Sequence, residues 1–162
     1  MKTSCFNPST SSGRASRWRG LFAVGMLSAL FTSGVQASMR WATLEAIHQL
    51  ENPRNLTSPG PCGELGPYQF RETTWRMHTS APFLRSLDRQ VSDVVAVKHY
   101  EWLKRGLESA GFPATPYNIA LAWNGGLEAV VLGRAPAVAR DYAERAANLA
   151  GTLGAHVVAA TR

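Results

Sequence analysis

Beyond residue 38, the apolar positions recur at helical spacing in short segments that Pro and Gly separate. Such spacing indicates amphipathic helices, and no segment shows the sustained alternation of period two expected of a half-buried strand. The pattern therefore predicts an all-α domain. The predicted helices cover residues 39–51, 71–78, 91–109, 116–123, 127–132 and 136–149. Gly151 is predicted to end the last helix, ahead of a flexible tail over residues 152–162.

The bounds and faces of these helices follow from local signals. Pro53 disfavours helical conformation at the residue before it, and Thr115-Pro116 combines an N-cap with a proline suited to the first turn. The apolar stripes are predicted to face inward through Trp41, Leu44, Ile47, Val91, Val95, Trp102, Leu103, Val138, Tyr142 and Leu149.

The N-terminal segment has the three parts of a secretory signal peptide. Basic residues precede an apolar run over residues 21–31, which Val35-Gln36-Ala37 follows as a cleavage site. The run is shorter than the ~20 residues that span a bilayer, so a stable membrane span is not expected after cleavage, although an uncleaved anchor remains the alternative. We predict a signal peptide over 1–37, export to the periplasm or cell exterior, and a mature domain over 38–151.

Charge and cysteine content narrow the possible partners. The chain has 17 basic and 11 acidic residues, but four basic residues precede Ser38, which leaves the mature chain a net charge of +2. This balance gives no basic stripe for nucleic acid, although a small basic excess suits an acidic polymer. Cys62 stands alone after Ser38, so an internal disulfide is excluded, and we predict a buried, inert thiol. The four histidines are scattered in sequence, so no metal or other cofactor is expected.

Glu51 is the first candidate for chemistry. It follows Ile47 by four residues and Leu44 by seven, so it shares the apolar stripe of the first helix. Burial and the negative end of the helix dipole both favour a protonated carboxyl there. A general acid that works near neutral pH needs such a carboxyl. The alternative is a solvated glutamate at a frayed helix end.

Two further segments present groups suited to carbohydrate. Gly63-Glu64-Leu65-Gly66-Pro67-Tyr68-Gln69-Phe70 places an aromatic ring and an amide after two glycines, and Ala122-Trp123-Asn124-Gly125-Gly126 repeats this combination at a predicted helix end. Aromatic faces stack on sugar rings, and amides offer both donors and acceptors. The alternatives are an ordinary turn in the first segment and a buried Trp beside a C-capping Asn-Gly pair in the second.

Together these elements resemble the lysozyme-like superfamily, especially the catalytic domain of soluble lytic transglycosylases. The family has a helix that ends in Glu, a Gly-x-x-Gly-x-x-Gln turn, an Ala-Tyr-Asn-x-Gly segment and a later helix with a Tyr near the site. Glu51, the Gly63–Gln69 turn, the Ala122–Gly126 segment and Tyr142 follow in that order over residues 44–149. The chain departs from the family at Asn52 (usually Ser), at Pro67-Tyr68 (usually Leu-Met) and at Trp123 (usually Tyr).

The resemblance implies a lysozyme-like helical domain with an active-site cleft that acts on peptidoglycan glycan strands without a cofactor. Glu51 would protonate the glycosidic oxygen and then act as a base, giving a 1,6-anhydro product with help from the substrate acetamido group, outside the two-carboxylate scheme. Gln69 and Asn124 would hydrogen-bond the sugars, Tyr142 would orient Glu51, and Tyr68 and Trp123 would stack on sugar rings. Whether the chain works beside an envelope-spanning secretion or conjugation machine is left open.

Three other functions compete with this one. Glu64 offers a second carboxylate, which would favour a hydrolytic lysozyme with Glu51 as the acid. An inactive glycan-binding or scaffold module would need the cleft but not the reaction. A small secreted adaptor would need neither, and Trp41, Trp102 and Trp123 would then be core residues.

Overall fold

Helices make up most of the chain that the computed structural model describes, residues 39–160. Leu65 and Phe70 form an isolated antiparallel bridge within the loop between the first two helices. The predicted all-α class is confirmed. The helices are α1 (39–51), α2 (Glu72–His78), α3 (Arg89–Ser109), α4 (Pro116–Gly125), α5 (Leu127–Val131) and α6 (Ala137–Ala160), with a 3₁₀ helix at Phe83–Leu87.

Side-chain caps explain where two of the helices begin. Thr115 Oγ1 accepts a hydrogen bond from the Asn118 N–H at 3.2 Å, so α4 begins as predicted at Pro116. The Asp88 carboxylate accepts from the N–H groups of Gln90 and Val91, and α3 therefore begins two residues before the predicted start.

The end of α6 corrects the sequence-based prediction. The helix continues through Gly151 to Ala160 instead of ending at Gly151. Ala150 is fully buried against Ala42 and Ala46 of α1, and Leu149 and Leu153 pack on the same cluster. A glycine inside a helix costs only about 1 kcal/mol relative to alanine, which the packing of this face offsets.

The main core lies around α4, which packs against α3, α5 and α6. Ile119, Ala120, Leu121 and Ala122 are buried in succession, so α4 is enclosed on most sides. The largest fully buried side chain is Trp75 of α2, whose Nε1 donates a hydrogen bond to the Ala81 carbonyl at 2.8 Å. This core fixes the end of α4 relative to the loop between α1 and α2.

Three residues predicted to face inward lie at the surface. Trp102 is 36% exposed, Trp41 49% and Val138 69%. The buried face of α3 passes through Val95, His99 and Leu103, and Trp102 lies about 100° around the helix from Leu103, because each residue turns the helix by that angle. Two of the three tryptophans of the adaptor hypothesis, Trp41 and Trp102, are therefore not core residues.

No helix between residues 39 and 160 is long and apolar enough to cross a membrane. The predicted signal peptide, residues 1–37, lies outside the described part of the chain.

Candidate active site

A cleft of about 530 Å³ opens where the end of α1, the loop before α2 and the end of α4 meet α3. Most of the residues singled out from sequence line it. Its lining includes Glu51, Glu64, Gln69, His99, Trp123 and Asn124.

Glu51 is the last residue of α1 and reaches the cleft from a half-buried position. Burial raises the pKa of its carboxyl above 4.5, the charge of Glu64 raises it further, and Tyr142 and Arg145 only partly oppose the change. The direction is the one expected from the apolar stripe, and desolvation is its main cause. Glu51 therefore holds its proton to a higher pH than an ordinary glutamate.

Tyr142 of α6 lies beneath Glu51 and does not itself line the cleft. Its hydroxyl is buried, and no group within residues 39–160 forms a hydrogen bond of good geometry with it. Burial and the nearby Glu51 carboxyl raise the pKa of this phenol far above its ordinary value, and the hydroxyl in turn lowers the pKa of Glu51. The hydroxyl is thus held as a proton donor beside the carboxyl.

Glu64 differs electrostatically from Glu51. Its carboxylate accepts hydrogen bonds from the Cys62 N–H at 2.8 Å and from Arg71 Nε at 3.2 Å. The backbone N–H groups of Glu64 itself and of Cys62, and after them the Arg71 guanidinium, lower the pKa of the Glu64 carboxyl, although partial desolvation opposes them. The cleft therefore holds one carboxyl that resists ionisation and one that ionises readily, a pairing found at acid–base sites.

The turn that carries Gln69 has an unusual backbone. Gln69 has a φ of +46°, a left-handed conformation that is uncommon outside glycine. Its N–H and its Nε2 both donate to the Gly66 carbonyl, at 3.1 and 3.0 Å. Gly66 has a φ of +80°, and a Cβ there would lie 1.9 Å from the Ser86 carbonyl oxygen. Both features direct Gln69 to the cleft.

Asn52 follows Glu51 directly, at a position where lytic transglycosylases usually have Ser. The structure places it in a buried position, where its Nδ2 donates to the carbonyls of Leu56 and Gly66 and its Oδ1 accepts from the Leu56 N–H. It joins the end of α1 to the turn that carries Gln69.

Trp123 and Asn124 end α4 at the cleft. The Trp123 ring is half-buried, with its centroid 4.7 Å from that of His99 and 5.5 Å from that of Phe70. Asn124 is exposed at the cleft margin. The next residues, Gly125 and Gly126, also line the cleft, and Gly126 has the positive φ that ends the helix.

The structure does not bring Tyr68 to the cleft. Its ring is buried, and its hydroxyl donates to Asp93 Oδ1 at 2.7 Å. The Arg89 guanidinium lies 5.7 Å from the ring centroid. Tyr68 is held in place by these groups behind Trp123 and Phe70, so the predicted stacking on a sugar is replaced by a supporting position.

Cys62 also differs from its prediction, because the thiol is free and exposed at the cleft margin. The chain makes a tight turn here, in which the Gly63 N–H donates to the Gly60 carbonyl at 3.0 Å. A turn this short encloses no volume for a side chain, so the thiol points outward.

His99 is the cleft residue that sequence reasoning missed. It was counted only among scattered histidines, although it lies three residues before Trp102 on a predicted helix. Across residues 39–160, no cluster of three or more His, Cys, Asp or Glu side chains is arranged to hold a metal ion.

Comparison with known proteins found no matching family model, no similar curated protein and no similar solved structure.

Proposed function

We propose that this protein is a lytic transglycosylase that cleaves the β-1,4 bond between N-acetylmuramic acid and N-acetylglucosamine in peptidoglycan. The observation that carries the proposal is the placement of Glu51, a carboxyl with a raised pKa, in a cleft beside Gln69 and Asn124. A protonated carboxyl in a polar cleft is what protonation of a glycosidic oxygen requires.

In the proposed reaction, Glu51 donates its proton to the glycosidic oxygen as the bond from the muramoyl C1 to that oxygen breaks. The oxygen of the substrate 2-acetamido group bonds to C1 in place of the leaving sugar. Glu51, now ionised, removes the proton of the C6 hydroxyl, whose oxygen attacks C1 and displaces the acetamido oxygen. The product is a 1,6-anhydro sugar, and Glu51 recovers its proton.

The surroundings of Glu51 support both of its roles. Burial favours the protonated form before the first step, and the Tyr142 hydroxyl stabilises the carboxylate after it. Gln69 and Asn124 supply donors and acceptors for hydroxyl and acetamido groups, and the Trp123 ring adds an apolar surface. We propose that the reaction takes place in the periplasm or outside the cell, after removal of residues 1–37.

Hydrolysis by a lysozyme-type reaction is the second candidate, because Glu64 is an ionised carboxylate in the same cleft. Such a group can activate water across from the acid. Its oxygens already accept from the Cys62 N–H and from Arg71, however, which favours a structural role.

The deciding experiment is to digest purified peptidoglycan with protein purified from cells that express the full chain. The soluble muropeptides are then identified by mass, with the Glu51→Gln and Glu64→Gln variants in parallel. Anhydro-muropeptides from the wild type and from Glu64→Gln, but not from Glu51→Gln, are expected. Reducing-end products that disappear in Glu64→Gln would establish the hydrolase. A folded wild-type protein that binds peptidoglycan and releases nothing would indicate a binding module.

A further inference from the structure

His99 is a buried polar side chain that the proposed reaction does not use. It lies on the inner face of α3, is 7% exposed and forms part of the cleft wall. Its Nδ1 lies 2.9 Å from Nε2 of His78, a residue of α2, so one hydrogen bond joins the two rings. A histidine nitrogen fixed in this way determines what the other ring nitrogen can do.

Aromatic rings cover most of the remaining surface of His99. Trp102 stacks on it, with centroids 5.6 Å apart and an angle of 11° between the ring planes. Trp123 approaches at 4.7 Å and 67°, and Phe70 at 6.2 Å and 74°. The edge that carries Nε2 is left, and His99 is one of the residues that line the cleft.

Nε2 of His99 has no hydrogen-bond partner in the chain between residues 39 and 160. The polar side-chain atoms of that part of the chain that are both unpaired and fully enclosed are Ser86 Oγ, Ser92 Oγ and Tyr142 OH. Nε2 of His99 is not one of them, so it is not fully enclosed. A polar atom that is unpaired but open to the cleft is placed to bond a ligand.

The ring is uncharged under ordinary conditions. Burial, and after it the neighbouring His78, lowers the pKa of His99 to about 3. A neutral imidazole forms one hydrogen bond through Nε2, as donor if His78 donates to Nδ1 and as acceptor if His99 does. It therefore suits an uncharged polar group more than a carboxylate.

We propose that His99 is a specificity-determining residue whose Nε2 hydrogen-bonds a hydroxyl or acetamido group of the glycan, with His78 fixing its tautomer. This inference rests on the proposed function for its ligand, and it adds a contact from α3 to those proposed for Gln69 and Asn124.

The test follows the imidazole nitrogens directly. Glu51→Gln protein labelled with ¹⁵N is titrated with a soluble tetrasaccharide of alternating N-acetylglucosamine and N-acetylmuramic acid, and long-range ¹H–¹⁵N spectra are recorded. The Nε2 resonance of His99 is expected to shift on binding, while that of His156, exposed on α6, stays in place. Binding without any change at His99, or no binding at all, would overturn the proposal.

Substitutions in the same Glu51→Gln background give an independent measurement. His99→Asn places its amide near the position of Nδ1 and loses the cleft contact, so its Kd should rise about three- to tenfold, the value of one net hydrogen bond. His99→Gln places its amide near Nε2 and should keep most of the affinity. His156→Asn is the matched control, and thermal melts identify variants that do not fold. Equal affinity in folded His99→Asn and His156→Asn would contradict the proposal.

The two proposals fail separately. Cleavage by the wild type together with an unshifted His99 resonance would remove only the role of His99. A shifted resonance in a protein that releases no muropeptides would keep the contact and change the function to glycan binding.

Discussion

The side-chain amide of Asn52 lies 3.2 Å from the carbonyl oxygen of Gly66, 14 residues further along the chain. Gln69 uses the same carbonyl through its N–H and its Nε2. The residue after Glu51 and the turn that carries Gln69 therefore share one acceptor. Asn52 sets the spacing between the proposed acid and a proposed substrate contact.

Replacing Asn52 with Ala should destabilise the protein and misplace the site. The change leaves the N–H and the carbonyl of Leu56 without their partner and removes one of the three donors to the Gly66 carbonyl. We expect a loss of about 1–3 kcal/mol in the free energy of unfolding. Urea denaturation measures this loss. Asn148→Ala, at an exposed position of α6, is the matched control and should change stability little. Equal stabilities of the two variants would contradict the linking role of Asn52.

Substitutions at Gly63 and Gly66, two glycines of the same loop, distinguish the cost of a steric clash from the cost of backbone strain. Gly66→Ala would place a Cβ 1.9 Å from the Ser86 carbonyl oxygen, whereas a Cβ at Gly63 meets nothing within 4 Å. Both have a positive φ, near +80°. We expect Gly63→Ala to cost about 1 kcal/mol from conformation alone, and Gly66→Ala to cost well over that. Chemical denaturation checks the order, and similar losses at the two positions would contradict the close approach.

Glu51→Gln should make the protein more stable at neutral pH. The folded-state pKa of Glu51 lies above 4.5, so its protonated form contributes stability that is complete below pH 4.5 and is lost as pH rises through the folded pKa. Glutamine does not ionise and escapes that loss. We expect a gain of about 0.5–2 kcal/mol at pH 7, the range common for stabilising changes at functional sites, and almost none near pH 4.

The check on Glu51→Gln is a pair of melting curves recorded at pH 4 and pH 7. Glu144→Gln is the control, because Glu144 is exposed on α6. A gain at pH 7 no larger than that of the control would show that the Glu51 carboxyl is not held in its protonated form.

Tyr142→Phe tests the effect of the hydroxyl on the acid. Because this hydroxyl lowers the pKa of Glu51, its removal should raise that pKa and move the alkaline limb of kcat/KM on peptidoglycan to higher pH. The proposed activity should fall by about ten- to 100-fold, because the Glu51 carboxylate loses the neighbouring hydroxyl that helps to stabilise and position it. Stability should hold or rise, because the buried hydroxyl has no well-formed hydrogen bond to lose.

The control for Tyr142→Phe is Tyr117→Phe, at a half-buried tyrosine near the start of α4. It should keep both the rate and the pH profile. A Tyr142→Phe variant with the wild-type alkaline limb would exclude an influence of the hydroxyl on the proposed acid, Glu51.

Sequence periodicity and capping were sufficient for the helical class and for most helix bounds, because those depend on residues close together in the chain. The position of Glu51 and the direction of its pKa followed from one apolar stripe. The end of α6 did not follow, because Gly151 stays helical only through contacts between Ala150 and α1. Local signals cannot report a partner about a hundred residues away.

The same limit explains the misplaced side chains. Tyr68 is withdrawn from the cleft by Asp93 and Arg89, which belong to a helix more than 20 residues later. His99 forms its hydrogen bond with His78, which lies on a different helix, so no local sequence pattern indicates this pair. Cys62 is exposed because a tight turn has no interior, which depends on the backbone and not on the preference of cysteine for burial.

The contact of α1 with the far part of α6 has a consequence for the order in which the site forms during synthesis. Among the helices described between residues 39 and 160, Ala42 and Ala46 belong to the one synthesised first, and Ala150 belongs to the one synthesised last. Glu51 is carried by that first helix, which lacks part of its packing surface until α6 has been made. A nascent chain therefore carries the proposed acid well before it has an ordered cleft, and any activity of that cleft arises only when α6 docks.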